Sequence, residues 1–571
     1  MSGDHLPQWL DRYGTNYHQW RTLERDGKET YYRPLGMVET AFDIDGTHFE
    51  GRADINALFT VETKGTLTRE HLLLCWTNLR LHHTLLFAKA ASGIDLRSGQ
   101  EKSGASRLFV VDKPSSVEQV LREAQNTMHF LDDHYGHVDT SDFYRHSQNT
   151  ARVVDSCNAL AKLFVLPTET LPGGISRIRF LLIAAHQISE GLTMYSWMSH
   201  FLSLLNTKEP ELSTSLPQLL KSESFQKRLP LPQEDHYPPI RGTRARQRWF
   251  WTLTLILRHI RKPLPPAFPN PLRRLTPRPH AIPMSPTYDK ILNYTRTPPL
   301  NSFACQSILS PSTTARLHRL CREAGVSIGS GCFALCGMVM MELEEARHPH
   351  IPAASRKPFI GSFPLNPRQF FNHHAAPDSL MLAFSDGLVL PFLSRDLDAE
   401  GRFRLLARSA HRQLRIYQKR LRKEDEARLG ARSPGRVIAT NYIAAVERAE
   451  AKLPPQLRTG VNPQGAYPAN VNFSGATCGV SSVGRTDAML KQGTYSLDGK
   501  EAVEKGFVAN FRSLDMGVRV RDDEFLIGIG GSAKHVFVNV SYDANAIDEV
   551  RVEELRRRME GILEGGETAR L

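Results

Sequence analysis

The sequence predicts an α/β (α+β) protein of two lobes, each a mixed sheet packed with helices. Three observations carry this expectation. Strand-like and helix-like segments interleave along the whole chain, as they do where sheets are layered with helices. The 571 residues are too many for one simple core. A basic, Pro-rich stretch then divides the chain into halves of similar size. The lobes are placed at 1–236 and 301–571, with 237–300 as the connector.

In the first half, "LTREHLLLCWTNLRLHHTLLFAKA" (67–90) carries apolar residues at helical spacing. Pro172 and two glycines turn the chain before "ISRIRFLLIAAH". That run alternates and then becomes uniformly apolar, as a central strand does. After Gly191, "LTMYSWMSHFLSLLN" returns to helical spacing.

The second half opens on a helix running to about Glu323, capped by Ser310, Ser312 or Thr313 and ended by Gly325. An apolar helix follows. "KPFIGSFPLNPR" reads as a strand closed by a turn, and "RFRLLARSAHRQLRIYQKRLRKEDEARL" as a long basic amphipathic helix. "EFLIGIGGSAKHVFVNVSYD" reads as two strands around a Gly turn, and "IDEVRVEELRRRMEGILEG" as a last helix. The glycines of "GIGGSAKHVFV" lead into a strand, so they form a hairpin turn and not a dinucleotide fingerprint.

Hydrophobic residues at 41% and charged residues at 23% are globular values, unlike those of a disordered or fibrous chain. No secretory signal opens the chain, and no apolar run approaches the roughly eighteen residues that span a bilayer. The reading is a soluble, cytoplasmic protein with no integral membrane segment. The 7 cysteines are scattered without a C-x-x-C pair. Cys332 and Cys336, four apart in an apolar run, read as buried thiols, with neither a disulfide framework nor a zinc site implied.

The net charge of +12 is local: between Arg241 and Arg278 stand 10 Lys/Arg and no Asp/Glu. This segment reads as a solvated connector or as a patch for a membrane surface or an anionic cofactor. Zinc-finger spacing and an RRM signature are both missing, so no nucleic-acid partner is expected.

H-x-x-x-[DE] occurs three times, as His129 with Asp133, His186 with Glu190, and His374 with Asp378. The first lies in a polar stretch and the third beside Pro377, so both read as loop or surface residues. Only His186 follows a long apolar strand and precedes a glycine and a helix. A strand end hands a side chain to a cleft. An imidazole, with an ordinary pKa of ~6.5, suits a general base there. On this evidence His186 is either such a base or a satisfied core histidine. Glu190 could equally anchor the loop through an arginine. There is no G-x-S-x-G elbow and no Walker A loop.

"AAHQISEG" resembles the H-H-x-x-x-D-G signature of the CoA-dependent acyltransferase superfamily, which includes chloramphenicol-acetyltransferase-like enzymes and peptide-synthetase condensation domains. Further segments are similar to that superfamily across both halves: "YYRPLGMVETAF" and "LRLHHTLLFAKA" near the start, "SPSTTARLHRLCREAGVSIGSGCFALCGMVM", "GSFPLNPRQFF", "NVNFSGATCGVSSVGRTDAML" and the final "VNVSYDANAIDEVRVEELRRRMEGIL". The connector's "FPNPLRR" and the length look most like fungal O-acetyltransferases of secondary metabolism, of the trichothecene 15-O-acetyltransferase type.

The resemblance implies two chloramphenicol-acetyltransferase-like lobes with an active-site tunnel between them. A segment near 470–500 would cross back to the first lobe. It implies His186 as general base, deprotonating an acceptor hydroxyl that attacks an acyl-CoA thioester. Glu190 would stand where the family keeps an aspartate, paired with Arg368 of the second lobe, and Gly191 where a small residue lets the helix start close to the ligand channel. Ser482 would stand where the family often has asparagine, as a possible oxyanion or substrate contact. Ala185 departs from the condensation-domain signature and suits an O-acyltransferase.

The implied activity is acyl transfer, chiefly acetyl, from acyl-CoA to a hydroxyl of a small secondary metabolite such as a terpenoid or polyketide. Acyl-CoA, chiefly acetyl-CoA, is a co-substrate; no cofactor is bound permanently, no metal is required, and the protein is expected to be a monomer. Two rivals stand beside this: a degenerate homologue that binds or scaffolds, because Glu190 adds a methylene, and a membrane-peripheral protein docking through "WFWTLTLILRHIRK".

Overall fold

The computed structural model describes residues 17–25, 27–91, 107–237, 242–243, 245–246, 249–250, 252–254, 256, 264–295, 301–371, 378–385, 387–418, 434–458, 475–499 and 506–564. The mixed α/β architecture expected from the sequence is present. Its two largest sheets have 6 strands each, and each underlies its own hydrophobic core.

The first large sheet runs in the order Val508–Val518, Ile55–Lys64, Ile175–Ala184, Ala161–Val165, Met128–Phe130, with Glu169–Leu171 also pairing with Ile175–Ala184. The two long inner strands pair antiparallel over their whole length, Ile55 opposite Ala184 and Lys64 opposite Ile175. Ile175–Ala184 becomes fully buried from Phe180 onward, which is why its sequence loses alternation there. Helices Arg69–His82 and Gly191–Leu205 cover this sheet, burying Trp76, Trp197 and Phe201. A 4-stranded antiparallel sheet from residues 21–112 stands beside it.

The second large sheet runs Ser302–Ile308, Val536–Asp543, Phe525–Gly531, Cys478–Arg485, Phe359–Ser362, Leu388–Leu390. Cys478–Arg485 lies parallel to both of its neighbours. Helix Ile328–Arg347 packs on the sheet with nearly its whole circumference buried, which explains its uniformly apolar sequence. Free thiols Cys332 and Cys336 are part of that buried surface.

One strand of the second half crosses to the first sheet. Cys478–Arg485 belongs to the second sheet, Leu490 then packs into the first core, and Val508–Val518 joins the first sheet as its edge. Asn206, just past helix Gly191–Leu205, fastens this edge. Its amide accepts from the Ala509 N–H at 2.9 Å and donates to the Ala509 carbonyl at 2.9 Å.

Several local expectations need adjustment. The helix over 67–90 is shorter, Arg69–His82, with Thr68 as its cap. The apolar run then tightens into a 3₁₀ turn at Thr84–Phe87 and a short strand at Lys89–Ala91, because tertiary packing uses those apolar residues in another conformation. Ser310 is the residue that caps Pro311–Ala324, and Gly325 ends it with φ of +67°. The long basic helix is Ala399–Gln418, its expected continuation lying outside the described residues. His129 is not a loop residue: it lies on strand Met128–Phe130, paired opposite Phe164. His374 lies outside the described residues.

The connector is less solvated than its composition suggests. Leu272 is buried in the second core and Tyr288 and Leu292 in the first. Arg274 and Arg278 both pair with Glu549, the latter at 2.7 Å, and Arg273 stands 3.3 Å from Asp523. Part of the basic excess is thus neutralised within the fold. Of "WFWTLTLILRHIRK" only some residues are described, Trp249 among them at 61% exposure. Among the described residues no single helix is long and apolar enough to cross a membrane.

Candidate active site

His186 stands on the tight turn after Ile175–Ala184. The turn is held by Ala185 N–H donating to the Leu160 carbonyl at 2.8 Å and Ile188 N–H donating to the Ala185 carbonyl at 3.1 Å. The turn drives the chain straight into helix Gly191–Leu205. The strand therefore delivers the imidazole, and the helix cap fixes the far end of the turn.

His186 as a residue is partly exposed, but its Nδ1 is buried and has no hydrogen-bond partner among the described residues. Burial pushes its pKa down to about 4, and the Arg521 guanidinium adds to this. The carbonyls of His186 and Ser189 and the Asp45 carboxylate pull the other way without reversing it. At neutral pH the ring is uncharged. Phe42, on helix Met37–His48, lies against it with ring centroids 3.9 Å apart and planes 1° apart. The neighbouring Gln187 is fully buried, and neither amide atom finds a partner among the described residues.

Glu190 does not serve His186: no hydrogen bond joins them among the described residues. Its carboxylate caps the helix, accepting from the Leu192 N–H at 2.7 Å and the Thr193 N–H at 3.1 Å. The same group meets Arg368 Nη1 at 2.9 Å. Arg368 follows Asn366, whose side chain accepts from the Arg368 N–H at 3.1 Å and closes the turn after strand Pro364–Leu365. Its other nitrogen donates to the Thr193 hydroxyl at 3.0 Å. The extra methylene of glutamate is thus accommodated, since one carboxylate reaches both the helix N-terminus and the guanidinium.

Three further contacts hold the same helix to the second lobe. The Thr193 hydroxyl lies 2.6 Å from the Ser379 carbonyl, Ser196 donates to Asp378 at 2.7 Å, and Trp197 donates to the Asp378 carbonyl at 3.3 Å. Asp378 thus belongs to a clasp between lobes.

Gly191 opens the helix against Val483: a Cβ there would lie 3.3 Å from Val483 Cγ1. Ser482, one residue earlier, is exposed and sits at a register break in its strand. It faces the first turn of Ile328–Arg347, its hydroxyl 4.0 Å from where a Gly329 Cβ would stand. Among the described residues no contact joins Ser482 to His186. The structure therefore brings Glu190, Gly191 and Arg368 together around the turn that carries His186, while Ser482 lies on the strand next to them.

Sequence reasoning did not single out Phe42, Thr193 or Arg521. Phe42 closes the segment "YYRPLGMVETAF", but its spacing carries no sign that it would meet His186. Thr193 lies three residues past Glu190, a spacing that a search for helix caps would have flagged.

No family model matches the sequence, and neither does any curated protein sequence. Solved structures do. The trichothecene 15-O-acetyltransferase from Fusarium sporotrichioides superposes with a TM-score of 0.63 at 11% identity, over 96% of this chain and 97% of that one. A four-domain nonribosomal peptide synthetase bound to AMP and glycine superposes with a TM-score of 0.50 at 10% identity, over 95% of this chain and 33% of that one. The chain therefore shares its overall fold with these acetyltransferase and peptide-synthetase structures.

Proposed function

We propose that the protein is a CoA-dependent O-acyltransferase, chiefly an O-acetyltransferase, acting on a hydroxyl of a small secondary metabolite, with His186 as general base. The observation that carries this is the uncharged imidazole on a turn clasped by the second lobe through Glu190 and Arg368. A neutral ring can take a proton, and a rigid turn keeps it in place while it does so.

In the proposed step the acceptor oxygen attacks the thioester carbonyl carbon as His186 takes the hydroxyl proton. Nδ1 is the enclosed nitrogen, so Nε2 is the one offered to the acceptor. The tetrahedral intermediate collapses with loss of the C–S bond, and the imidazolium returns the proton to the departing thiolate. The products are the ester and free CoA. Ser482 is the proposed oxyanion or substrate contact, and acyl-CoA is a co-substrate that leaves as CoA.

The reach of Glu190 to Arg368 supports an active enzyme over a degenerate scaffold, since the Glu-for-Asp exchange does not break the clasp. The test is release of free CoA by purified protein given acetyl-CoA and a panel of terpenoid and polyketide alcohols. Acceptor-dependent release that disappears in His186→Ala is expected. Release that persists unchanged in His186→Ala overturns the role given to His186.

A further inference from the structure

The connector carries apolar side chains that the fold uses on one side only. The described residues between 245 and 256 are helical. Phe250 and Thr254, one turn apart, face the protein and are buried. The Thr254 hydroxyl donates to the Phe250 carbonyl at 2.9 Å, which satisfies it away from solvent. Trp249 and Ile256, two turns apart and so about 10 Å along one stripe, are 61% and 44% exposed. Ala245 lies on the same stripe and is exposed, and Leu253 beside it is half-buried. A helix apolar all round is normally buried all round. Here one side meets the fold and the other meets solvent.

The ends of this stretch carry charge of one sign. Arg241, Arg244, Arg246 and Arg248 precede Trp249, and Arg258, Arg261 and Lys262 follow Ile256. No acidic residue balances them along the chain before Arg278. Further along the connector the fold brings in counter-charges, Glu549 for Arg274 and Arg278 and Asp523 for Arg273.

We propose that this stripe docks the protein on the surface of a membrane rich in anionic phospholipid. Trp249 and Ile256 enter the boundary between headgroups and acyl chains, and the flanking basic residues meet lipid phosphates. Apolar side chains with a tryptophan among them, bracketed by arginines, suit that boundary in both chemistries. The helix lies on the bilayer, since among the described residues no single helix is long and apolar enough to cross one. Two other occupants fit less well. A second copy of the chain would set basic segment against basic segment, which is repulsive. A nucleic acid would take the basic residues and leave the apolar stripe in water. The docking does not depend on His186 being a base.

The test is co-sedimentation of the full chain with vesicles of phosphatidylcholine alone and of phosphatidylcholine mixed with phosphatidylserine, at low and at high salt. Binding is expected to the mixed vesicles and not to the neutral ones, and should weaken as salt screens the lipid charge. Trp249→Ser combined with Ile256→Ser is expected to weaken it by about 10-fold or more. Because both side chains are exposed, the melting temperature of that variant should match wild type. Arg258→Gln combined with Arg261→Gln is expected to weaken binding by about 25-fold, at roughly five-fold for each charge removed.

Failure to sediment with the mixed vesicles overturns the proposal, as does equal binding to the neutral ones or binding that the Trp249 and Ile256 substitutions leave unchanged. Retention on RNA in place of vesicles overturns it in favour of a nucleic acid. Dimers that the same substitutions abolish, with no vesicle binding, overturn it in favour of a second copy. If the Trp249 and Ile256 variant does not fold, unchanged binding in Arg258→Gln combined with Arg261→Gln overturns it. CoA release, followed separately, decides the acyltransferase reading alone.

Discussion

The Glu190 carboxylate joins two lobes and one helix terminus at once, standing 2.9 Å from Arg368 Nη1 while it accepts from the N–H groups of Leu192 and Thr193. Glu190 is buried but Arg368 is partly exposed, so breaking the pair costs less than the about 3–5 kcal/mol of a fully buried one, and a lost cap adds about 1 kcal/mol. Glu190→Ala is therefore expected to lower stability by about 1–3 kcal/mol in urea titration. Glu190→Asp keeps the cap but shortens the reach to Arg368, so it should fall between the two. Equal stability of Glu190→Ala and wild type would show that the clasp contributes nothing.

The pH dependence of activity is set by the His186 environment. A general base works deprotonated, so kcat/KM should stay level as pH falls from neutrality and drop only as it approaches the folded-state value of about 4. An acid limb centred near the free-histidine value of ~6.5 would mean that the working imidazole is not enclosed as His186 is.

Stability should also depend on acid in a set direction. Burial pushes His82 down to about 4, His83 to about 3 and His129 to about 4. In the unfolded chain these groups bind protons near ~6.5, whereas the folded protein resists until far lower pH. Between those limits the unfolded state holds more protons, so stability falls as pH falls. Their contribution is complete above about pH 6.5 and is lost on the way down to about 3. Calorimetry should show Tm declining through that window, and His83→Gln, which removes the ring that meets His200 at 3.1 Å, should flatten the decline. A Tm that is constant across the window contradicts this.

Asn206 should matter to the crossing strand well beyond its own site. Asn206→Ala leaves the inward N–H and carbonyl of buried Ala509 without partners, at about 1–3 kcal/mol for each unsatisfied group. Amide exchange along Val508–Val518 is expected to quicken relative to the inner strand Ile175–Ala184. Unchanged protection of Val508–Val518 would show that pairing with Ile55–Lys64 alone holds the edge.

Much of this architecture was legible in the sequence because it is written in short-range patterns. The uniformly apolar end of Ile175–Ala184, the Ser310 cap and the Gly325 stop each depend on residues within a turn or two of one another. Legibility failed where one pattern fits more than one conformation. The apolar run after His82 suits a helix, a 3₁₀ turn and a strand alike, and the fold gives it the latter two. Composition misled at Arg274 and Arg278, whose partner Glu549 is far along the chain.

The candidate site divides in the same way. Taken alone, the sequence determined that a histidine would stand at the end of a buried strand, with a carboxylate and a glycine opening the next helix. It also marked Arg368 as a partner for that carboxylate, on the strength of resemblance. Tertiary structure decided that Glu190 has the reach for both tasks, that Ser482 faces another helix, and that Phe42 lies flat on His186. Caps and periodicity are governed by neighbours along the chain, whereas a ring stack or an ion pair between lobes exists only once segments distant in sequence have been packed together.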